Sequence, residues 1–363
     1  MESRIPRVMR AVVYRGANDL RVEEVPVPRI GREELLVRVA VCGVCPTDIK
    51  KIQTGSVPPP RILGHETAGT VVRVGSAVKG VSVGDRVALH HHVPCGTCHF
   101  CRHGDFAQCA TYLRTGVTAG FEPAGGGYAE YVKVLPFCLP GVVRIPSHNT
   151  FEEGALLEPV NTVLKAIRRL NLHRGDSVVV VGQGPIGLLF NRIFDLAGQK
   201  VFGTDLLERR RKLGRTWGAA ATWDGRDPRL PERIQKRTAQ RGADAVVLTV
   251  PQDGAFQGAF DLVRRGGRIL LFAHTLRGHQ TPTDLAAVCV DEKTVVGSYS
   301  SDLSLQREVA RLVFSRRLDV RPLITHRFSL EQTPEAIALA ASATPEALKV
   351  MVEASKAGGA VHP

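Results

Sequence analysis

The first 145 residues consist largely of short valine-rich runs that glycine and proline interrupt, such as AVVYRG, LLVRVAVCG, GTVVRVG and DRVALHHH. Short apolar runs between turn residues are typical of strands and predict a β-rich unit. From about Asn161 to Ser300 the pattern changes, and apolar runs such as SVVVVG and DAVVLTV alternate with helix-like segments such as PIGLLFNRIFDLAG. This alternation predicts βαβ units around a parallel sheet. After about Asp302 we expect two helices and a final strand, LKVMVE, before a loose tail.

The composition is that of a soluble globular protein, with 44% hydrophobic and 23% charged residues in a chain of 363 residues. This length favours two domains. No apolar stretch approaches the roughly 18 residues that cross a bilayer, and the N-terminus lacks the apolar core of a signal peptide. We therefore predict a cytoplasmic protein with reduced thiols, in which eight cysteines favour metal binding over disulfides.

The formal net charge of +13 is spread along the whole chain. A basic protein can bind nucleic acid or anionic ligands, but no basic stretch is interleaved with aromatic residues in the way that grips single strands. Solvated helix faces are the simpler interpretation. We predict neither a nucleic-acid partner nor a membrane partner.

Four cysteines lie together in PCGTCHFCRHGDFAQC: Cys95, Cys98, Cys101 and Cys109. The spacing C-x2-C-x2-C-x7-C supplies four thiolates from one loop, and a zinc site with four protein ligands is structural, not catalytic. An iron–sulfur cluster and a redox pair are the competing interpretations. Bacterial cluster motifs end in C-P, whereas Ala110 follows Cys109. We predict a structural zinc that stabilises a lobe with little core of its own.

Further metal ligands occur in three separate segments: Cys45 in CGVCPTDIK, His65 and Glu66 in LGHETAG, and Glu158 in LLEPVNT. A catalytic zinc needs a few protein ligands and one exchangeable position. Each candidate alone has an ordinary explanation, since a lone cysteine is usually a buried hydrophobe and a glutamate before proline is often a helix-start carboxylate. Their combination with the four-cysteine loop favours the metal.

The ordered set CGVCPTD, GHE with Gly69, the four-cysteine loop and LLEP resembles the zinc-containing medium-chain dehydrogenase/reductase family. Within this family the sequence is most similar to the sorbitol (polyol) and threonine dehydrogenases. The resemblance covers nearly the whole chain, including GSYSSD and ALKVMVE. It implies a chaperonin-10-like catalytic lobe formed by residues 1–157 and 303–363, and a doubly wound, Rossmann-type nucleotide domain formed by residues 158–302.

The resemblance also implies the catalytic residues. Cys45, rather than Cys42, would bind the catalytic zinc with His65 and Glu66, while Glu158 would be a fourth ligand or exchange with water. Thr47 would take the alcohol proton, although a turn hydroxyl is its ordinary role. Zinc lowers the pKa of an alcohol, and the carbon-bound hydrogen then leaves as hydride to the nicotinamide.

Two positions near these motifs leave the proton route and the substrate contacts open. Many relatives have a proton-relaying histidine where this chain has Lys50, which could relay protons, hold an acidic group of the substrate, or be a solvated lysine. Immediately before the cysteine loop, His91 or His92 could face the substrate. Alternation along a strand turns at least one histidine of His90–His92 away, and we choose His92.

The segment VVVVGQGPIGLLF contains G-x-G-x-x-G between an apolar strand and a helix, which is the context of a dinucleotide site. Gly182 would allow the tight turn, Gly184 the close approach of pyrophosphate, and Gly187 the packing of helix on strand. Pro185 and Ile186 would open the helix whose N-terminus meets the pyrophosphate. By family resemblance, Thr162 would contact the nicotinamide.

Asp205 ends the next strand about 20 residues later, where an acid holds the ribose hydroxyls, although a helix cap is an alternative. A carboxylate there repels a 2′-phosphate, whereas an arginine can bind one. Of the run Arg209–Arg211, we expect only Arg210 to lie over the adenine and the others to face solvent. We therefore predict a preference for NAD over NADP.

Together these features predict an oxidoreductase with two zinc ions per chain that moves a hydride between NAD and a small-molecule alcohol. The substrate would be a secondary alcohol, a polyol or a threonine-like hydroxy compound. A zinc-independent reductase of the same superfamily and a non-catalytic nucleotide-binding relative are the alternatives. The apolar segment TVVGSYS predicts a homodimer or homotetramer formed by edge-to-edge strand pairing.

Overall fold

The computed structural model describes residues 5–90, 92–113, 125–273, 278–342 and 344–354. The chain divides into two compact units, one formed by Met1–Asn161 with Ser301–Pro363 and the other by Thr162–Ser300. The boundaries between the units therefore lie at 161/162 and 300/301. The sequence analysis predicts them at 157/158 and 302/303, within four residues of these positions. No helix in the described part of the chain is long and apolar enough to cross a membrane.

The strands, in chain order, are β1 (Val8–Gly16), β2 (Asp19–Pro26), β3 (Leu35–Gly43), β4 (Arg61–Ile62), β5 (Glu66–Val74), β6 (Arg86–Leu89), β7 (Tyr131–Val134), β8 (Val143–Arg144), β9 (Ser177–Val181), β10 (Lys200–Thr204), β11 (Ala221–Trp223), β12 (Ala243–Leu248), β13 (Val263–Leu271), β14 (Thr294–Gly297), β15 (Ile324–Ser329) and β16 (Lys349–Glu353).

The helices are α1 (Pro46–Thr54), α2 (His99–Arg102), α3 (Ala110–Leu113), α4 (Phe151–Ala155), α5 (Leu157–Leu170), α6 (Pro185–Ala197), α7 (Glu208–Thr216), α8 (Leu230–Arg237), α9 (Asp253–Leu262), α10 (Leu285–Cys289), α11 (Gln306–Phe314) and α12 (Thr333–Ala341).

The first unit contains a three-stranded sheet of order β2-β1-β4 and a seven-stranded sheet of order β15-β16-β3-β5-β6-β8, in which β7 also pairs with β3. Alternating apolar residues of these strands, such as Val37, Val39, Val71 and Val87, are buried in one shared core. The final strand, β16, runs antiparallel to β3. The C-terminal segment therefore returns to complete the N-terminal lobe, as predicted.

The second unit is a six-stranded parallel sheet of order β11-β10-β9-β12-β13-β14, with helices between its strands. In sequence order this is 3-2-1-4-5-6, the doubly wound arrangement that binds dinucleotides beyond the carboxyl ends of its strands. Val179, Phe202, Val246 and Ile269 are fully buried in its core. The predicted parallel sheet is confirmed, because strands buried on both faces need the continuous apolar runs that the sequence contains.

Candidate functional site

The first candidate site lies where β3 ends and β5 begins. These strands are antiparallel and Gly43 pairs with Glu66, so the residues just after β3 meet the residues that open β5. Cys45, the residue that precedes α1, thereby comes close to His65 and Glu66. One ligand atom from each of the three lies within 4.8 Å of the others, and both His65 and Glu66 are buried. A thiolate, an imidazole and a carboxylate in this arrangement suit zinc.

A fully buried carboxylate supports this cluster from α1. Asp48 Oδ1 lies 3.2 Å from Nδ1 of His65, and Tyr128 donates a hydrogen bond of 3.4 Å to Asp48 Oδ2. Because Nδ1 of His65 faces Asp48, Nε2 is the ring nitrogen that would bind a metal, which is the usual arrangement of a metal-binding histidine. Burial lowers the pKa of His65, but Asp48 and Cys45 overcome this and raise the pKa well above its ordinary value. The site therefore favours a cation on this imidazole.

A second buried charge next to the cluster cannot be predicted from any local motif. Lys349, the first residue of β16, donates a hydrogen bond to Glu66 Oε1 and one of 3.0 Å to the carbonyl of Val44. Burial lowers the pKa of Lys349, but Glu66, Cys45 and Glu158 together outweigh burial and raise it. Lys349 and Glu66 are 283 positions apart, so only the return of β16 to β3 brings them together.

Cys42 lies on β3, three residues before Cys45, and is not part of the cluster. It is completely buried, and burial raises the pKa of its thiol to about 12. A thiol that holds its proton this strongly is a poor metal ligand, since metals bind the thiolate. The local environment thus distinguishes the two cysteines.

The other predicted active-site residues belong to the same unit but not to the ligand cluster. Glu158 lies in the first turn of α5, is buried, and adds to the negative potential around Lys349. Thr47 and Lys50 are half-buried residues of α1. His92 is also half-buried, and its ring stacks on Tyr112 with centroids 4.4 Å apart. His91 lies outside the described residues.

The four-cysteine loop forms a second cluster in which all four sulfurs lie within 4.8 Å of one another. The sulfur of Cys101 is 4.0 Å from that of Cys95 and 3.5 Å from that of Cys98. Sulfurs on a tetrahedral zinc, each about 2.3 Å from the metal, lie about 3.8 Å apart. None of them forms a disulfide, and hydrogen bonds, of which that from the Thr97 backbone has the largest effect, together lower the pKa of Cys95 to about 5. The loop is thus shaped to hold zinc.

The core around this loop is small. Its buried members are Cys101, Ala107, Cys109 and Tyr112. Two of these four are candidate zinc ligands, so the apolar burial alone contributes little stability to the lobe. A metal there would supply much of the missing stabilisation.

The glycine-rich segment of the second unit has the geometry of a nucleotide-binding loop. Gly182 has a φ of +93°, which favours glycine, and a Cβ on Gly187 would lie 1.9 Å from the carbonyl oxygen of Gly182. By contrast, a Cβ on Gly184 would meet nothing within 4 Å, so this residue borders open space. Gly184 precedes α6, where Pro185 and then the half-buried Ile186 open a helix of 13 residues.

Asp205 follows β10 at the same edge of the sheet, and backbone groups hold its carboxylate in place. Oδ2 accepts a hydrogen bond of 2.7 Å from the N–H of Gln183, and Oδ1 accepts one of 2.8 Å from Leu207. The side chain of Gln183 is fully buried and donates to the carbonyl of Val180, while Asn191 donates to its Oε1. Gln183, the variable residue between the first two glycines of the motif, therefore holds the loop in place. The motif itself does not predict this role.

The arginines after Asp205 differ in their environments. Arg209 is exposed and Arg210 is half-buried. The expectation that Arg211 faces solvent is wrong, because its guanidinium donates hydrogen bonds of 2.9 Å to the carbonyls of Asp205 and Leu206 and lies 3.4 Å from Asp224. The helix turns this side chain back over its own N-terminal loop. Thr162, also half-buried, lies within α5.

Two family domains match most of the chain. Residues 31–146 match the alcohol dehydrogenase GroES-like domain, and residues 185–315 match the zinc-binding dehydrogenase domain. The chain belongs to the zinc-binding alcohol dehydrogenase family. The predicted family, fold class and enzyme class are thereby confirmed.

Individual relatives match over nearly the whole chain. The sorbitol dehydrogenase of Bacillus subtilis (strain 168) is 31% identical over 97% of this chain and 99% of its own length. A protein of Sinorhizobium meliloti 1021 described as a zinc-binding dehydrogenase, solved with NADP, has a TM-score of 0.87 and 28% identity over 96% of this chain and 100% of that one. The alcohol dehydrogenase TADH of Thermus sp. ATN1 has a TM-score of 0.83 and 28% identity over 95% and 99%.

Proposed function

We propose that this dehydrogenase interconverts a secondary alcohol or polyol and the corresponding carbonyl compound, with NAD as hydride carrier and with zinc held by Cys45, His65 and Glu66. The buried three-residue cluster at the end of β3 is the observation that carries the proposal. The similarity to sorbitol dehydrogenases supports a polyol as substrate. Threonine-like hydroxy compounds belong to the same candidate class.

The residues of the cluster fit a zinc ion. Three different ligand types converge there, and Glu66 Oε2, although it is paired with the ammonium of Lys349, accepts no hydrogen bond among the described residues. When bound, zinc supplies the Lewis acidity that makes an alcohol more acidic, and the nicotinamide supplies the hydride acceptor. Asp48 keeps the imidazole of His65 oriented, while Thr47 accepts the proton of the substrate hydroxyl. Lys50 would pass that proton on, Glu158 would exchange with water as a fourth ligand, and His92 would contact the substrate.

Cys95, Cys98, Cys101 and Cys109 would hold a second, structural zinc. Their sulfur separations bracket the tetrahedral value, and four thiolates leave no open position for a substrate. This assignment gives two zinc ions per chain.

NAD is the cofactor that Asp205 favours. Its carboxylate is held by two backbone N–H groups, so it cannot turn away from a phosphate on the ribose 2′ oxygen. Arg211 is occupied by backbone carbonyls and Asp224, which leaves it poorly placed to offset that repulsion. Gly182, Gly184 and Gly187 would let the pyrophosphate approach the start of α6, next to Pro185 and Ile186. Arg210 would lie over the adenine, and Thr162 would contact the nicotinamide.

A homodimer or homotetramer is the proposed assembly. The strand β14 is at the edge of its sheet. Exposed apolar side chains lie on β14 (Val295), on α10 (Leu285 and Val288) and directly after α10 (Val290). A second copy pairing along β14 would cover both the apolar side chains and the open backbone groups. Light scattering that finds only 39.3 kDa particles at micromolar concentration would refute this assembly. The cytoplasmic location stays a prediction.

The function is tested by combining metal analysis with an alcohol screen that follows absorbance of the reduced cofactor. We expect two zinc ions per chain in the purified protein and turnover of at least one polyol or secondary alcohol. Cys45→Ser should retain one zinc and lose activity. Cys138→Ser, which changes another buried cysteine of the same unit, should retain both. The proposal would be contradicted if Cys45→Ser held as much zinc as the parent protein, or if the parent protein oxidised none of the alcohols.

A further inference from the structure

The backbone of β16 carries Lys349 into the candidate zinc site. Met351 pairs with Gly43, and beyond the end of β3 the N–H of Val44 donates to the carbonyl of Val350 at 2.9 Å. The ladder therefore continues to the segment that holds Cys45, and Lys349 is 5% exposed there. Its ammonium group is therefore largely shielded from bulk water, so its charge is poorly screened.

The ammonium group and the metal need the same carboxylate. Nζ of Lys349 contacts both carboxylate oxygens of Glu66, with hydrogen-bond geometry at Oε1. The same carboxylate belongs to the cluster with Cys45 and His65. A carboxylate that serves an ammonium and a metal together donates less electron density to each than it would to one alone.

Gly43 keeps this arrangement compact. A Cβ at this position would lie 2.0 Å from Glu66 Oε2 and 3.0 Å from Cε of Lys349. Glu66 and Lys349 are thus packed directly against the backbone of β3. The pair has little freedom to separate when a metal binds.

We propose that Lys349 is a positioning residue that shares the carboxylate of Glu66 with the metal and so keeps Glu66 a weak, exchangeable ligand. The inference rests on the proposed function, because it assumes a metal at Cys45, His65 and Glu66. Three effects act in the same direction when the ammonium is removed. Its repulsion of the dication disappears, Glu66 becomes free to coordinate fully, and the metal becomes the only cation that neutralises the buried carboxylate.

The experiment measures how fast zinc passes to a coloured chelator. The kinetic phase that is missing in Cys45→Ser belongs to this site. Lys349→Met should slow that phase by about 10- to 100-fold, the range over which residues behind the ligands alter metal affinity. Lys349→Arg keeps the charge and should release zinc like the parent. Lys133→Met is the matched control, since Lys133 is also a buried lysine of this unit but pairs with Glu34.

A cobalt-substituted protein gives a readout that is independent of both activity and release rate. The visible absorption bands of the cobalt ion bound through Cys45 are those missing in Cys45→Ser. These bands should shift in Lys349→Met, because Glu66 coordinates the metal differently, and should be unchanged in Lys349→Arg and Lys133→Met. In a Glu66→Gln background the Lys349→Met change should have no further effect on release or spectrum. This double variant leaves no unpaired buried charge, so it tests the inference even if Lys349→Met alone does not fold.

Zinc release in Lys349→Met that is unchanged or faster, with a parental cobalt spectrum, would overturn the inference about Lys349. An effect of Lys349→Met that persists in the Glu66→Gln background would overturn it as well. A parent protein that binds no metal through Cys45 would instead refute the proposed function. The two failures are therefore distinguishable.

Discussion

Asp48→Asn tests whether the buried carboxylate behind His65 tunes the metal site. Asp48 is fully buried and contacts His65 Nδ1 at 3.2 Å and the hydroxyl of Tyr128 at 3.4 Å. Asparagine has the same shape and can still accept a hydrogen bond from His65, so the substitution removes mainly the negative charge. A net hydrogen bond to a charged group contributes about 1.5–3 kcal/mol and a neutral one about 0.5–1.5 kcal/mol. The difference, about 1–1.5 kcal/mol, corresponds to roughly tenfold weaker zinc binding.

The measurement is competition for zinc between the protein and a chelator of known affinity, restricted to the site that Cys45→Ser abolishes. Asp85→Asn is the matched control. Asp85 is an aspartate of the same unit that accepts a hydrogen bond from the backbone of Ser82 and pairs with Arg144, outside the metal cluster. The control should bind zinc like the parent. If Asp48→Asn also binds zinc with parental affinity, then the charge of Asp48 does not act on His65 and the reasoning is wrong.

Three further predictions concern the cofactor, the cysteine loop and acid stability. Asp205→Ser should shrink or reverse the preference for NAD. The ratio of the specificity constants for NAD and NADP should fall by one to two decades, because a hydrogen bond to a charged group, worth roughly 1.5–3 kcal/mol, is lost. An unchanged ratio counts against the role of Asp205. Cys98→Ser should lower the Tm, by roughly 2–4 °C for each kcal/mol lost, and parental melting would exclude a structural metal. Burial raises the pKa of Glu153, but the hydrogen bonds from Arg316 and Thr150 outweigh burial and hold the pKa below its ordinary 4.5. The ionised carboxylate therefore stabilises the fold above pH 4.5, and this stabilisation is lost as the pH falls through the pKa of the folded state. Glu153→Gln should therefore melt earlier at pH 7 but lose less stability on acidification, and parallel pH profiles of the two proteins would disprove this.

The features that the sequence predicts correctly are those written within one continuous segment. Local chain geometry is enough to bring together the residues of two motifs. These are the four cysteines within 15 residues and the G-x-G-x-x-G segment between a strand and a helix. Long apolar runs alternating with amphipathic segments likewise predict a parallel sheet, since the period of the pattern follows from backbone geometry. Family resemblance added the separate ligands Cys45, His65 and Glu66, which no single segment identifies.

Other features depend on strand register and on how helices turn their side chains. The pairing of β16 with β3 places Lys349 beside Glu66, and the fold of α1 places Asp48 behind His65. Arg211, expected in solvent, turns back to backbone carbonyls because the start of α7 leaves them within reach. A sequence pattern records which face of an element is apolar, but not which distant polar group lies opposite it. In a buried site, where charges are poorly screened, those distant partners decide the chemistry.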